Sequence, residues 1–333
     1  MFVGHSPSLP SPEDGGGYEG DVGRQGSHAK VRVMKGGSSG RGSLRRLMRR
    51  KSTIAVLMTL PLFTLILVLV AYPTGFAIYL SMLDRTTTRF VGLANFAYLV
   101  GRDRFWMVVW QTCLLAITAV GLKTIIGFAA AHFMHNIPTK GQRKWRGMLL
   151  VPWVIPPAMS ILAWRELYDP SFGAFNWLLV RLGQDRIFWL GETGWARFSV
   201  ILVSVWFSAP FFMMMYLASL KSVPEELYEA ASIDGATWWQ RTRYVTFPMT
   251  RNIIAITMMF SLIGSFAGFT LVAVLTGGGP LGTTQVLGTY AFLVGILGGH
   301  LPMGAAVTLF MTPVLAVAAT FILRGIAQRG SEA

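Results

Sequence analysis

The sequence predicts an all-α polytopic membrane protein, with six transmembrane helices and a cytoplasmic helix-turn-helix between the fourth and the fifth. Of its 333 residues, 53% are hydrophobic and only 13% are charged, whereas soluble domains carry about 25% charged residues. The apolar residues fall in blocks of about twenty or more, the length that a helix needs to cross the hydrocarbon core of a bilayer. The basic residues lie mostly between these blocks, as the positive-inside bias of membrane proteins requires.

Residues 1–52 form the first region of the chain and contain 11 Gly, 8 Ser and 3 Pro. A segment of this composition cannot bury enough apolar surface to offset the entropy lost on ordering, so we expect a disordered basic tail. The tail ends in a run of basic residues, namely Arg45, Arg46, Arg49, Arg50 and Lys51. Two functions fit this run: contact with anionic lipid head groups, or only the fixing of topology. The composition is also compatible with a translation start downstream of Met1.

Six apolar segments follow the tail and define a membrane domain over residues 53–327, with a short C-terminus of residues 328–333. The segments cover residues 54–81, 106–133, 148–163, 198–220, 253–275 and 303–323. The first is uncharged and too long for the apolar core of a signal peptide. The third and fourth contain internal prolines: Pro152, Pro156, Pro157 and Pro210. Because membranes tolerate proline where neighbours or a water-filled cavity satisfy the freed backbone, such spans favour a transporter over a passive anchor.

The distribution of Lys and Arg predicts the orientation. The tail, the loops after the second and fourth spans and the C-terminus hold 20 of them, and the other three loops hold 8. This bias places both termini in the cytoplasm. Lys123 is the one full charge deep in a span, and two interpretations stay open: it lines a pathway, or its ammonium group snorkels to the cytoplasmic end.

Several function classes are disfavoured by the residues present. The net charge of +14 could suggest nucleic-acid binding, but the basic residues are spread between spans as topology requires. Cys113 is the only cysteine, so no internal disulfide forms, and we expect a buried thiol without a function. His132 and His135 lie one helix turn apart, but no third ligand accompanies them, so no metal site is predicted. No acid pair or Ser-His pair in the spans indicates a membrane enzyme.

The loop after the fourth span, residues 222–249, is predicted to form two short helices joined by a turn. Ser222 with Glu225 matches a capping box, and the glutamates at the start of the helix favour the positive end of its dipole. Gly235 can adopt the left-handed conformation that ends the first helix. Asp234 is the residue best placed to cap the second helix.

Two features of this loop suit contact with another protein. Ala230 and Ala231 leave one helix face without bulk, so a partner surface could approach it closely. The second helix carries Trp238 and Trp239 and is expected to stop before Pro248, because proline has no amide donor and disturbs the preceding turn.

The order and spacing of six residues in this loop carry a family resemblance: Glu229, Ala230, Ala231, Asp234, Gly235 and Pro248. The stretch resembles the EAA loop of bacterial binding-protein-dependent ABC importer permeases. Thr242 and Asn252 depart from the family pattern, which usually has an aromatic residue and a proline there. The resemblance implies the ABC type I importer permease fold. It also implies that the two short helices are coupling helices, with Glu229 in a cleft on a separate ATPase.

The same resemblance implies the partners and the location. These are a second permease subunit, an ATPase dimer that uses ATP and Mg, a periplasmic or lipid-anchored solute-binding protein, and the lipid of the bacterial plasma (inner) membrane. The chain contains no Gly-Lys dipeptide, so it cannot form a Walker A phosphate loop. We therefore expect a transport subunit that binds no cofactor and is not an enzyme.

Four further segments, residues 90–96, 152–157, 173–178 and 276–280, look like the sugar-import branch of this family. They favour import of a di- or oligosaccharide or of a glycerol-phosphate-like solute. Two alternatives remain: a permease for a non-sugar solute such as a polyamine, or a secondary transporter. The latter would need inverted repeats or several ionisable residues deep in the spans.

Alignment with the sugar branch also implies a substrate path through the fourth and fifth spans. It falls on Ser204, Phe207, Ser208, Phe211, Ser261, Gly264, Ser265 and Gly268. Hydroxyl groups and aromatic faces suit a polyol, although the family uses larger amide side chains at several of these positions. The alternative is ordinary close packing of helices through small residues.

Overall fold

The computed structural model describes residues 51–330. The tail predicted to be disordered lies, up to residue 50, outside the described residues, as do residues 331–333. The described residues fall into two units that meet between Phe63 and Thr64. The described part of the first unit, residues 51–63, is helical.

Within residues 51–330 the regular structure is helical, apart from an isolated antiparallel bridge between Leu83 and Phe90. The helices are α1 (Lys51–Ile66), α2 (Tyr72–Ser81), α3 (Ala94–Val100), α4 (Asp103–Asn136), α5 (Thr139–Val154), α6 (Pro157–Leu167), α7 (Ala174–Arg181), α8 (Thr193–Leu220), α9 (Glu225–Ile233), α10 (Trp238–Arg241), α11 (Phe247–Phe266), α12 (Phe269–Leu275), α13 (Leu287–Phe292) and α14 (Leu301–Gly330). π-helical stretches lie at Leu67–Ala71, Thr242–Thr246 and Leu293–Leu297.

The predicted six-span membrane fold is confirmed. Five described helical stretches are long and apolar enough to cross a membrane: Met58–Ser81, Asp103–Asn136, Thr193–Leu220, Trp238–Phe266 and Leu301–Thr320. A sixth comes from the pair Gly141–Val154 and Pro157–Leu167, which is bent by 89° at its break. Each of the six predicted segments overlaps one of these stretches.

The expected stop before Pro248 is wrong, because α10 continues through the π-helical stretch into α11. Trp238–Phe266 is one continuous helical stretch that is long and apolar enough to cross a membrane. The amide of Phe247 donates to the carbonyl of Thr242, five residues earlier. A proline ring clashes with the carbonyl four residues before it in an α-helix, and a wider π turn at that point leaves room for the ring. Tyr72, just before Pro73, bonds to Leu67 in the same way.

The predicted end of the fifth span at residue 275 is also wrong. The helix ends at Phe266, and Gly268 separates it from α12. Beyond α12, the segment Leu287–Leu297 forms a short apolar helix that the sequence did not predict. It packs so closely on α14 that a Cβ added at Gly304 would lie 2.6 Å from the Cα of Gly295.

Three apolar clusters hold the membrane domain together, and α4 contributes to each of them. The first contains Leu99, Phe105, Val108, Leu287, Met303, Ala306, Val307 and Met311. The second contains Leu115, Ile161, Tyr168, Val200, Val203, Val272, Leu275 and Val286. The third contains Ala131, Met134, Phe212, Met213, Tyr216, Leu217, Leu220 and Ile254.

In the third cluster α4 and α8 almost touch, since a Cβ added at Gly127 would lie 2.4 Å from the Cβ of Phe212. Between the second and third clusters the helices separate and leave a cavity.

Candidate functional site

The cavity has a volume of about 490 Å³ and is bounded by α4, the bent pair α5–α6, α8, α11 and α12. It brings together all the residues on which the family alignment placed a substrate path. They are Ser204, Phe207, Ser208, Phe211, Ser261, Gly264, Ser265 and Gly268. A Cβ added at Gly264 would meet nothing within 4 Å. Close helix packing therefore does not account for this glycine.

The bend between α5 and α6 shapes one wall of the cavity. Ile155 and Pro156 both have extended backbone angles, with ψ of 135° and 131°. Each precedes a proline, and the proline ring disfavours the α conformation in the residue before it. The break places Trp153 and Pro157, from the two halves of the span, on the same cavity wall.

The walls combine aromatic rings with small hydroxyl groups. The rings of Trp153 and Phe211 lie 6.1 Å apart, with an interplanar angle of 32°. Aromatic faces offer apolar contact area, and a serine hydroxyl both donates and accepts hydrogen bonds. Such a wall can stack on a saturated ring and exchange hydrogen bonds with the hydroxyls of a polyol.

Two polar groups at the cavity have no partner of their own. Lys123 is only 4% exposed, and among the described residues it forms neither an ion pair nor a hydrogen bond. The Oγ atom of Ser160, on α6, is buried and also lacks a hydrogen-bond partner in the described structure. Of the two sequence interpretations of Lys123, the structure supports the pathway-lining one.

A second candidate site is the turn between α9 and α10. Gly235 has a φ of +72°, as predicted. The amide of Ala236 donates to the carbonyl of Ala231 at 2.9 Å, and that of Gly235 donates to Ser232 at 3.1 Å. These two bonds form a Schellman motif, which closes a helix through a left-handed residue.

The predicted capping residues of these two helices are wrong. Ser222 donates to the carbonyl of Ser219 and does not cap α9, which begins after Pro224 without a side-chain cap. Helix α10 is capped by Thr237 and not by Asp234. The amide of Thr237 donates to Oε1 of Gln240 at 2.7 Å, and the amide of Gln240 donates back to Thr237 Oγ1 at 3.4 Å. A reciprocal pair satisfies two amides where Asp234 could satisfy one.

The turn region is fixed to the fifth span but open on its outer face. Arg241 donates to the Oγ of Ser232 at 3.1 Å, and the hydroxyls of Tyr228 and Thr246 lie 3.1 Å apart. These bonds make α9 and the start of the span one unit. Most of the predicted coupling residues are exposed, with Ala231 half-buried: Glu229, Ala230, Ala231, Asp234, Gly235 and Pro248. Beside them Ile233 is 87% exposed.

The two histidines lie at the end of α4 that packs against this turn. The ring of His132 contacts that of Trp238 edge-on, with 5.5 Å between centroids. Its Nε2 atom lies 3.5 Å from the Oγ1 of Thr242. Over the described residues, no three His, Cys, Asp or Glu side chains are grouped as a metal site would need. His132 thus joins the second span to the turn.

The family model for the binding-protein-dependent transport system inner membrane component matches residues 123–330. The chain belongs to this family. It is a permease subunit, so it is not an enzyme, and the ATPase of the importer is a separate subunit. The predicted resemblance is confirmed.

Relatives and a solved structure agree with this assignment. The chain is 33% identical to the trehalose/maltose transport system permease protein MalF of Thermococcus litoralis, over 83% of this chain and 94% of the relative. It is 27% identical to the diacetylchitobiose uptake system permease protein DasB of Streptomyces coelicolor, over 88% and 93%. A bacterial ABC transporter involved in the import of the acidic polysaccharide alginate shares the fold, with a TM-score of 0.76. That match has 24% identity and covers 86% of this chain and 99% of the other.

The permease cavity is also lined by residues that the sequence analysis did not assign to a substrate path. Trp153, Ser160, Phe260 and Thr270 line it. Trp153 could have been found, because it lies within the proline-rich motif of the third span. Ser160 could not, because its position depends on the angle of the bend. Cys113 is a free thiol that is only partly buried, whereas full burial was expected.

Proposed function

We propose that this permease subunit imports a sugar, a di- or oligosaccharide or a glycerol-phosphate-like solute, through the cavity that α4, α8 and α11 line. The observation that carries the proposal is the lining of that cavity, which combines five serines with five aromatic side chains. Its volume of about 490 Å³ falls within the range of about 300–1,000 Å³ that is common for small-molecule sites. The relatives named for trehalose/maltose and diacetylchitobiose support the same solute class.

The polyamine alternative fits the cavity poorly. A polyamine is a cation and would need carboxylates or several carbonyl groups along its path. Among the described lining residues there is no Asp or Glu, and the one charged side chain is that of Lys123. Repulsion between like charges at low dielectric would oppose passage of a polyamine.

We further propose that α9 and α10 dock on the ATPase through Glu229, Ala230, Ala231, Asp234 and Gly235, with Pro248 at the base of the helix that they move. The exposed apolar side chains there suit burial by a partner rather than contact with water. A solute-binding protein would deliver the sugar, and a second permease subunit would complete the path. The hydrogen bonds between α9 and the fifth span, Arg241–Ser232 and Tyr228–Thr246, would transmit movement of the ATPase to the cavity wall.

The function can be tested with the assembled complex. Purification of the tagged chain from its native membranes is expected to co-isolate an ATPase subunit and a second permease. Proteoliposomes that contain this complex and its binding protein should take up a sugar in an ATP-dependent way. ATP-driven uptake of spermidine without uptake of any sugar would contradict the proposed solute class.

We propose that the protein lies in the inner membrane of a bacterium, with both termini and the α9–α10 turn in the cytoplasm. Labelling of single cysteines tests this orientation. In a Cys113→Ala background, Gln184→Cys places one thiol in an exposed loop, and Arg243→Cys places one at an exposed position of the π-helical stretch Thr242–Thr246. An impermeant maleimide should label the first in intact cells and the second only after permeabilisation. Labelling of Arg243→Cys from outside would overturn the orientation.

A further inference from the structure

Lys123 is a buried lysine on the cavity wall, and packing of the helices does not explain a charged side chain there. It lies 13 residues before the end of α4 at Asn136, which is roughly 20 Å at 1.5 Å per residue. The lysine side chain is several times shorter than this distance, so the ammonium group cannot reach the nearer helix end. Charged side chains within membrane-spanning helices ordinarily face the protein interior or a water-filled cavity, and they pair with an opposite charge or with backbone carbonyls.

No such partner is present in the part of the chain that the structure describes. The residues that line the cavity include no Asp, Glu, Arg or His, so Lys123 is the source of its formal charge. The ammonium of Lys123 thus faces the cavity with its hydrogen-bonding capacity unused. A buried charge without a partner is costly, so a passing solute is the group that can supply the missing partner.

We propose that Lys123 is a specificity-determining residue of the translocation path, and that the imported sugar carries an anionic group: a carboxylate, a sulfonate or a phosphate. The inference rests on the proposed sugar-import function and narrows its solute class. A neutral sugar could accept a hydrogen bond from Lys123, but it would leave the positive charge uncompensated. An anionic group compensates the charge and makes a stronger, charge-assisted hydrogen bond.

The first experiment measures the charge of the cavity directly and needs no knowledge of the solute. Ser208→Cys, in a Cys113→Ala background, places one thiol on the cavity wall of the complete transport complex. Its reaction rates with an anionic and a cationic methanethiosulfonate of similar size give a ratio that reports the local potential. Lys123→Met should lower the anionic-to-cationic ratio by about tenfold or more. Lys123→Arg should preserve the ratio, and Lys144→Met, which removes an exposed lysine outside the cavity, serves as the matched control.

An unchanged ratio in Lys123→Met would overturn the proposal. It would mean that the ammonium does not act on the cavity, for example because a carboxylate of the second permease neutralises it. Since the measurement compares two reagents on one protein, a general loss of stability in a variant does not imitate the expected result.

The second experiment tests the solute class. Uptake of maltobionate and of maltose, an acidic and a neutral disaccharide of similar size, is compared in proteoliposomes. Lys123→Met should lower the acidic-to-neutral uptake ratio by about tenfold, and Lys123→Arg should restore most of it. Uptake of maltose but not of maltobionate by the unmodified complex would overturn the acidic solute class. Failure of the import function itself would look different, since ATP-dependent uptake of both sugars would be absent while the reagent ratio kept its dependence on Lys123.

Discussion

Gly235→Asp and Glu229→Lys are each expected to abolish ATP-driven uptake while the protein stays in the membrane at near-normal amounts. Gly235 has a φ of +72°, and a Cβ added there would meet nothing within 4 Å. The substitution therefore costs only the backbone strain of a left-handed residue, about 1–2 kcal/mol. What changes is the outer surface of the turn, where a new carboxylate would project toward the ATPase.

The charge of Glu229 matters for a related reason. Its side chain is exposed in the isolated subunit and would enter a protein cleft in the complex. A hydrogen bond to a charged group is worth about 1.5–3 kcal/mol. Lysine would replace that bond by repulsion from the same donors. The expected effect is thus larger than the change of less than about 0.5 kcal/mol that surface substitutions usually cause.

The chain offers matched controls for both variants. Gly183 has a φ of +74° and also has nothing within 4 Å of an added Cβ. Gly183→Asp therefore imposes the same strain in a loop that has no proposed contact with the ATPase, and it should transport normally. Asp185→Lys, in the same loop, reverses an exposed charge as Glu229→Lys does. Gly235→Asn distinguishes the effect of backbone strain from the effect of an added side chain, because asparagine tolerates the left-handed conformation.

Three measurements decide the outcome: uptake, ATP hydrolysis stimulated by the loaded binding protein, and the amount of ATPase that co-purifies. All three should fall together in the two test variants and remain in the controls. Full uptake by either Gly235→Asp or Glu229→Lys at normal expression would contradict the coupling role of the turn.

The same turn shows what a sequence can predict at short range. The left-handed Gly235 was predictable because few other residues adopt that conformation at a helix end. The cap of α10 was missed although its signal was present, since Thr237 is followed by Gln240 three residues later, the spacing of a capping box. Asp234 was favoured on residue type alone. Its amide instead donates to the carbonyl of Ala230 as α9 ends, so it belongs to the preceding helix.

The spans show the opposite limit. Their number followed from the length of the apolar blocks, but the 89° bend in the third span did not. Prolines indicate that a helix is disturbed, whereas the outcome depends on what packs around it. Pro210 lies inside a continuous helix, and Pro248 is accommodated by a π turn. The helix Leu287–Leu297 was missed because 11 residues are too few for a span and its support comes from α14.

The cavity was predictable only in part. The eight residues carried over from the family line the cavity because the fourth and fifth spans, α8 and α11, form two of its walls. Lys123 stood out by its charge alone. Trp153 and Ser160 line the cavity from opposite sides of the bend between α5 and α6. Their proximity depends on the bend angle, which the local sequence does not predict.

Replacing the small serines of the cavity by tryptophan is expected to block uptake almost completely while the complex still assembles. Ser208 on α8 and Ser265 on α11 face the same cavity of about 490 Å³. Either indole would occupy a large part of the width through which a sugar must pass. The walls of the cavity are packed helices, and protein interiors yield little because they are close-packed. An obstruction from either side should therefore be sufficient.

Two comparisons separate a blocked path from a damaged fold. Ala218 lies on α8, ten residues after Ser208, with its side chain exposed, so Ala218→Trp adds the same ring outside the cavity and should transport normally. Ser208→Ala keeps the space open and removes one hydroxyl, which is worth about 0.5–1.5 kcal/mol if it bonds to the solute. That variant should show weaker uptake rather than none.

Uptake and assembly are measured on the same preparations. The tryptophan variants should co-purify with the ATPase in normal amounts and still hydrolyse ATP when the loaded binding protein is added, because the α9–α10 turn is unchanged. Hydrolysis without uptake would locate the defect in the path. If Ser208→Trp and Ser265→Trp both transport at the unmodified rate, the sugar does not pass through this cavity, and the path must lie on surfaces of the second permease.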